Sequence, residues 1–263
     1  MLVSDIDDTL FSEGGEHGLE AFAEWIEKRR SKLALVYATG RYFDSVVQLV
    51  NETALPAPDA VICDVGTEVR AFPSGRPFDE WHDRMPSDWD TGRIRDLLSE
   101  LPRLRPQPSE WQSPLKASFF LENASSEEMD SVFETLWNHS IYPEVIYSSD
   151  RDLDVLPPGV NKGSAAAFLA SRWGFPRKDV VVSGDSGNDR PLFVKGFRGV
   201  VVANAKPELK ELGGPLIYHA RRPMAAGVLE GLKYWTAPPR LLPQSALRRE
   251  KQLTAASSKA GNS

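Results

Sequence analysis

Apolar and polar positions recur along this chain in a two-part rhythm. Short aliphatic runs end at an acid, a hydroxyl or a glycine, and longer stretches with apolar residues three and four apart follow them. Leu2-Val3-Ser4-Asp5 opens the series as a strand that ends in acid. Gly18 to Arg30 predicts an amphipathic helix, with Leu19, Phe22, Ala23 and Ile26 on one face. Leu33 to Ala38 predicts a second buried strand, broken by Thr39-Gly40, and Arg41 to Asn51 a helix carrying Phe43, Val46, Val47 and Val50. Ala60 to Cys63 predicts a third strand before the turn Asp64-Val65-Gly66. Strands that alternate with helices predict an α/β protein with a parallel sheet.

The rhythm then breaks. From about Pro73 to Leu156, Pro and Trp become frequent. Helical patterns (Trp89 to Leu101, Ser125 to Asn138) interleave there with strand patterns at Ala117 to Leu121, Tyr142 to Ser148 and Asp152 to Leu156. This predicts a smaller α/β module inserted in the first domain and closed by Pro157-Pro158-Gly159. The first rhythm resumes with a helix over Asn161 to Trp173, a strand at Val180 to Val182 and a short helix from Asn188 to Lys195. A strand at Gly199 to Val202, a helix from Lys206 to Leu212, a strand at Leu216 to Tyr218 and a helix over Ala225 to Trp235 complete it. The division is therefore a Rossmann-like parallel-sheet core (1–75 and 157–237), an inserted α/β cap (76–156) and a basic tail (238–263) expected to be disordered.

Composition narrows the function classes. The chain has 263 residues, 41% hydrophobic and 26% charged, with a net charge of −6. The tail carries +4, so the body is the more acidic part. Nucleic acid is not expected as a partner, because phosphate backbones are held by clustered Lys and Arg. No apolar run approaches a membrane span, no leader pattern precedes the acids at Asp5, Asp7 and Asp8, and the lone Cys63 excludes an internal disulfide; the chain reads as cytoplasmic.

Four motifs carry chemistry. Asp5-Ile6-Asp7-Asp8-Thr9 follows the first strand, where ligands of open α/β sheets bind and where residues two apart point the same way. Two close carboxylates need a cation or a shared proton. Ser183-Gly184-Asp185-Ser186-Gly187-Asn188-Asp189 sets further oxygen ligands at another strand end, a donor type that suits Mg²⁺. Thr39-Gly40-Arg41 combines a hydroxyl with backbone N–H groups, a natural anion cradle. Asn161-Lys162-Gly163 places a cation at a helix start, against the dipole preference, unless an anion faces it. Taken singly, these motifs also suit a solvated acidic turn, a helix cap, ordinary turn chemistry and an exposed lysine.

Together, in the chain order acid pair, hydroxyl, lysine and acid cluster, the four motifs resemble the haloacid dehalogenase-like phosphatases, with their Asp-x-Asp-x-Thr, Thr, Lys and Gly-Asp-x-x-x-Asp signatures. Further strings are similar to the sucrose-phosphate phosphatase family and to mannosylfructose-phosphate phosphatases: Asp59 to Glu68, Ser148 to Pro157, Asn204 to Leu209 and Ala226 to Trp235. The resemblance implies a Mg²⁺-dependent phosphatase acting on a phosphorylated disaccharide, foremost sucrose 6-phosphate. Asp5 would be the nucleophile, forming an aspartyl-phosphate, and Asp7 the general acid and then base. Staying protonated near neutrality would require Asp7 to rise by about 3 pKa units, through burial under the cap.

Mg²⁺ would take Asp5, the Asp7 carbonyl and Asp185, with Asp189 supporting the metal or bonding Lys162. Thr39, Gly40, Arg41, Lys162 and Asn188 would hold the phosphate. For the sugar, the candidates are Lys116, Gln112, Glu122 and Asp152, Trp81, Trp89 and Trp111 by stacking, and the Thr67-Glu68 pair at the seam. The resemblance leaves open another sugar phosphatase, a hexose phosphomutase, or a non-catalytic module that binds a sucrose-phosphate synthase. The intact Asp5, Asp7, Lys162, Asp185 and Asp189 count against the last, although association with a synthase is compatible with activity.

Overall fold

In a computed structural model, which describes residues 1–12, 15 and 17–237, the central sheet is the element that positions everything else. β1 (Leu2–Ser4), α1 (Leu19–Glu27), β2 (Leu35–Ala38), α2 (Phe43–Glu52) and β3 (Ala60–Cys63) follow the expected alternation. β4 (Glu68–Ala71) then turns back antiparallel on β3, and the short α3 (Asp79–His82) covers its end. The inserted unit holds α4 (Thr91–Ser99), β5 (Arg105–Pro106), β6 (Ala117–Phe120), α5 (Ser126–Asn138), β7 (Glu144–Ser148) and β8 (Asp152–Leu156). The chain returns through α6 (Lys162–Arg172), β9 (Val181–Gly184), α7 (Arg190–Phe193), β10 (Arg198–Val201), α8 (Pro207–Lys210), β11 (Ile217–His219) and α9 (Met224–Thr236). The expected basic tail, 238–263, lies outside the described residues.

The core sheet runs β11-β10-β9-β1-β2-β3-β4 and is parallel except at β4. β1 lies between β2 and β9, with Ser4 opposite both Tyr37 and Ser183. The next residues of these strands therefore emerge side by side at one edge. Strands buried on both faces read as continuous apolar runs rather than alternating ones, and β1, β2, β3 and β9 are buried along their whole length.

The cap sheet, β5-β6-β8-β7, is antiparallel and works by alternation. Ala117, Phe119, Leu153 and Val155 join Ile94, Leu98, Val132 and Leu136 of α4 and α5 in a separate apolar cluster. Ser118 and Asp154 occupy the opposite parity and hydrogen-bond to each other. The cap thus has one helix-covered face and one polar face.

Two differences from the sequence reading have clear causes. Residues 76–85, assigned above to the cap, pack on the core: Phe78, Trp81 and Met85 join its apolar cluster, and the Trp81 indole donates to the Gly66 carbonyl at 3.0 Å. Trp81 is therefore a core residue, not a sugar platform. β4 escaped prediction because this half-exposed edge strand is only four residues long, too short for the alternation of Glu68 and Arg70 with Val69 and Ala71 to stand out.

Gly163 shows how tightly α6 is seated. A Cβ there would stand 2.0 Å from the Pro191 carbonyl oxygen. Alanine is usually better than glycine within a helix by up to about 1 kcal/mol. Here Gly163→Ala is expected to destabilise by about 1–3 kcal/mol through overpacking, read as a lower midpoint in urea unfolding; an unchanged or higher midpoint contradicts this seating.

Candidate active site

Asp5 follows β1, and its N–H donates to the Ser183 carbonyl at 3.0 Å, so the residue is held against β9 before any ligand binds. Asp185 follows β9 and accepts from the Thr9 hydroxyl at 3.0 Å. Lys162 is the first residue of α6, set by the Asn161 cap, whose side chain accepts from the Ser164 N–H at 2.8 Å. The lysine is fully buried, and its Nζ donates to Asp5 Oδ1 at 2.8 Å, Asp189 Oδ1 at 2.7 Å and Asn188 Oδ1 at 2.7 Å. An anion does face this cation at the helix start, and it is protein.

Asp5, Asp185 and Asp189 offer oxygens that all lie within 4.8 Å of one another. Asp189, named from sequence as a ligand or a partner of Lys162, takes the second role. One of its oxygens accepts from Lys162 and the other from the N–H groups of Asp185 and Ser186, at 3.0 and 3.3 Å.

The electrostatics follow from packing three acids around one ammonium. Burial, then Asp189, pushes Asp5 well above the ordinary carboxylate range, although Lys162 pulls it down. Burial and Asp189 likewise raise the Asp185 carboxyl to about 7. Burial works against the charge of Lys162, but Asp189 and Asp5 outweigh it and hold the ammonium above its ordinary value.

Asp7 departs from expectation. Its side chain is 48% exposed, and both of its oxygens are taken by Arg41, with contacts of 2.6 to 3.0 Å. The burial expected for a general acid is absent because the guanidinium draws the carboxylate toward β2's exit. Thr39 is buried, and its hydroxyl accepts from the Arg41 N–H at 3.1 Å; Gly40 and Arg41 border the open space beyond it.

That space is a cavity of about 550 Å³ between the strand ends and the polar face of the cap. Its size lies in the range of small-molecule sites. Asp5, Asp7, Asp185 and Asn188 line the floor; Gln107, Glu110, Trp111, Lys116, Asp152 and Asp154 line the roof. Lys116 is buried at the seam, 3.8 Å from both Asp64 of the core and Asp154 of the cap. Burial raises Asp64 to about 6 against the pull of Lys116.

The structure sorts the other cap candidates. Asp152 and Trp111 border the cavity. Gln112 instead bonds backbone groups of Gln107 and Ser118, and Glu122 pairs with Arg105 at 3.6 Å. Trp89 packs against the cap's own apolar cluster and borders a different, smaller cavity. Thr67 is buried, donates to the Asp64 carbonyl, and with Glu68 faces away from the main cavity. Its place after the third strand suggested the seam, but the chain turns outward there through left-handed Asp64 and Val65.

Sequence reasoning missed Asp64, Asp154, Gln107 and Glu110. For Asp154 a signal existed: Asp152 and Asp154 are two apart on a strand, so both point to one face. Asp64 passed as turn chemistry.

Comparison with known proteins agrees with the geometry. The chain is 34% identical to a mannosylfructose-phosphate phosphatase from Agrobacterium fabrum, over 91% of this chain and 98% of the other. It is 31% identical to a probable sucrose-phosphatase 2 of Arabidopsis thaliana over 93% of its own length, and spans 61% of that longer protein. Among solved structures, a sucrose-phosphatase from Synechocystis, in complex with sucrose and phosphate, matches with a TM-score of 0.82 at 33% identity, covering 89% of this chain and 96% of that one. Residues 1–236 match the family of sucrose-6F-phosphate phosphohydrolases. Since that span takes in both parts of the core, the whole cap and every acid around Lys162, the chain belongs to this family of phosphoric monoester hydrolases with a haloacid dehalogenase-like core.

Proposed function

We propose that the protein is a Mg²⁺-dependent phosphatase that hydrolyses sucrose 6-phosphate to sucrose and phosphate through an aspartyl-phosphate on Asp5. The observation that carries this is Lys162 Nζ, fully buried and 2.8 Å from Asp5, beside two further carboxylates and beneath a polar cap face. Sucrose is chosen because the matched solved relative is a sucrose-phosphatase in complex with sucrose and phosphate. Mannosylfructose phosphate is the second reading, supported by the relative that this chain matches over 98% of its length.

The donor set fits a hard divalent cation. Three acids lie within 4.8 Å of one another while one ammonium contacts two of them, and burial with the charge of Asp189 raises Asp185 to about 7. Asp5, Asp185 and the Asp7 carbonyl would hold Mg²⁺. Bound there, it would neutralise the acids and the phosphate oxygens.

The residues divide the chemistry as follows. Lys162 holds Asp5 in place through its 2.8 Å bond, and Asn188 with the Gly40 N–H orients the phosphoryl group against that carboxylate. Asp5 attacks phosphorus as the bond to the sugar oxygen breaks, and Asp7 delivers a proton to that oxygen. Asp7 next takes a proton from water, whose oxygen attacks phosphorus and frees Asp5 and inorganic phosphate. For the first step Asp7 must exchange Arg41 for the sugar oxygen. Arg41, already at the rim, is then released toward the phosphate, the role expected for it from sequence. Lys116 and Asp152, with Trp111 beside them, border the volume left for the disaccharide.

Phosphate release from a panel of phosphorylated mono- and disaccharides tests the proposal. One disaccharide phosphate is expected to dominate, activity to vanish with EDTA, and Asp5→Asn to lower it about a thousandfold or more. Retained turnover in Asp5→Asn ends the assignment, and equal turnover of simple hexose phosphates moves it to a broader sugar phosphatase.

The acid cluster also makes a stability prediction. Asp185 binds its proton more tightly folded, near 7, than at its ordinary 3.8. Its contribution to stability in metal-free protein is therefore fully present below about pH 4 and lost as pH rises through about 7. Melting temperatures of metal-free protein across this range should fall more steeply in wild type than in Asp185→Asn, and saturating Mg²⁺ should remove the difference. Parallel slopes without metal would show that Asp185 is not under this strain.

A further inference from the structure

Cap and core meet at a second place, behind the catalytic loop. The string Asn204 to Leu209 has no role in the chemistry above, yet it touches that loop repeatedly. The Lys206 N–H donates to the Asp185 carbonyl at 2.6 Å, and the Arg190 guanidinium donates to the Glu208 carbonyl at 3.3 Å. The half-buried Glu208 side chain reaches further. Its Oε1 accepts from the Gly187 N–H at 3.2 Å and from the Ser149 N–H at 3.3 Å. Gly187 is the residue before Asn188, which binds Lys162. Ser149 lies in the turn between β7 and β8 of the cap, beside Ser148 on the cavity wall.

One carboxylate oxygen thus joins the cap turn to the loop that carries Asp185, Asn188 and Asp189. Contact between the two is close. A Cβ on Gly187 would stand 2.7 Å from the Tyr147 carbonyl and 3.2 Å from Ser148 Cα. Ser149 and Asp150 are both left-handed, a conformation that presents the turn's N–H to Glu208 and that residues with side chains seldom adopt. Accepting from two N–H groups is within a carboxylate's capacity, and charge strengthens both bonds.

We propose that Glu208 is a positioning residue that couples the cap to the catalytic loop: its single oxygen sets Gly187, and so Asn188 and Lys162, only while the β7–β8 turn is down. It touches neither substrate nor reacting atoms. It acts when the cap closes over a sugar, by returning the loop to the arrangement seen here. The kinetic part rests on the phosphatase reading above; the coupling itself does not.

Amide hydrogen exchange on the full chain, with sucrose 6-phosphate kinetics beside it, tests the coupling. In Glu208→Ala, exchange at Ser149 and Gly187 should rise together, about tenfold or more, as a charged acceptor is lost from both. The strands β1 and β9 should keep their protection. The value of kcat should fall about tenfold with KM nearly unchanged, and Glu208→Gln, which retains an acceptor oxygen, should recover most of both. Gly187→Ala probes the seam from the other side, and should free the Ser149 amide with Glu208 intact. Unchanged exchange at either amide in Glu208→Ala, or a rise spread across the whole chain, overturns the proposal. A wild type that hydrolyses no sugar phosphate defeats the phosphatase reading instead, and leaves the exchange result standing.

Discussion

A lysine ammonium with no exposure to water is the constraint around which this molecule is organised. Lys162 has three donors and fills all three with Asp5, Asn188 and Asp189. A buried charge is tolerated only when paired and hydrogen-bonded, and losing one partner is far more damaging than never having had the pair. The end of β1, the start of α6 and the 187–189 turn must therefore meet at one point. Residues with no chemical duty serve that meeting: the Asn161 cap that starts α6, Gly163 against Pro191, and the backbone N–H groups that hold Asp189. The acids outnumber the contacting cation, and this surplus leaves the pocket avid for further positive charge.

The cap solves a separate problem with simpler means. A four-stranded antiparallel sheet has two faces, and alternation assigns them independently. One face builds an apolar core with α4 and α5, which holds the unit together; the other is left to carry Lys116, Asp152 and Asp154 over the cavity. Substrate preference can therefore change on one face without disturbing the packing of the other. Lys116 is an exception, because it is buried between an acid of the cap and an acid of the core, and so belongs to both units.

The core was legible in the sequence because parallel strands buried on both faces are written as unbroken apolar runs, and because the runs at β1, β2 and β9 end beside residues of the candidate site. Asp5, Thr39, Lys162 and Asp185 are all at strand or helix boundaries that the pattern marks. Legibility fell where local pattern and tertiary role diverge. Trp81 sits in a Pro- and Trp-rich stretch that reads as cap, yet it packs on the core. Thr67 follows a strand but faces away from the cavity. Asp7 is read from the motif as a buried acid, and only the structure reveals Arg41 upon it. Glu208 is a surface-looking residue in a short helix, and nothing local tells that two amides from separate units converge on it.

The order of the core strands has a consequence for synthesis on the ribosome. β1 emerges first, but one of its two neighbours is β9, and the whole cap is translated between them. Until that late strand appears, β1 has one unsatisfied edge, and Asp5 lacks the backbone acceptor that holds its N–H. Contacts so distant in sequence form slowly, since closure of the intervening loop must precede them. The cap, whose apolar cluster lies wholly within residues 89–155, is able to fold during the wait, which shortens the effective loop that the two halves of the core must close. Placing the insert between the two halves of the pocket thus keeps the surroundings of Asp5 incomplete in the nascent chain until both halves of the core are made.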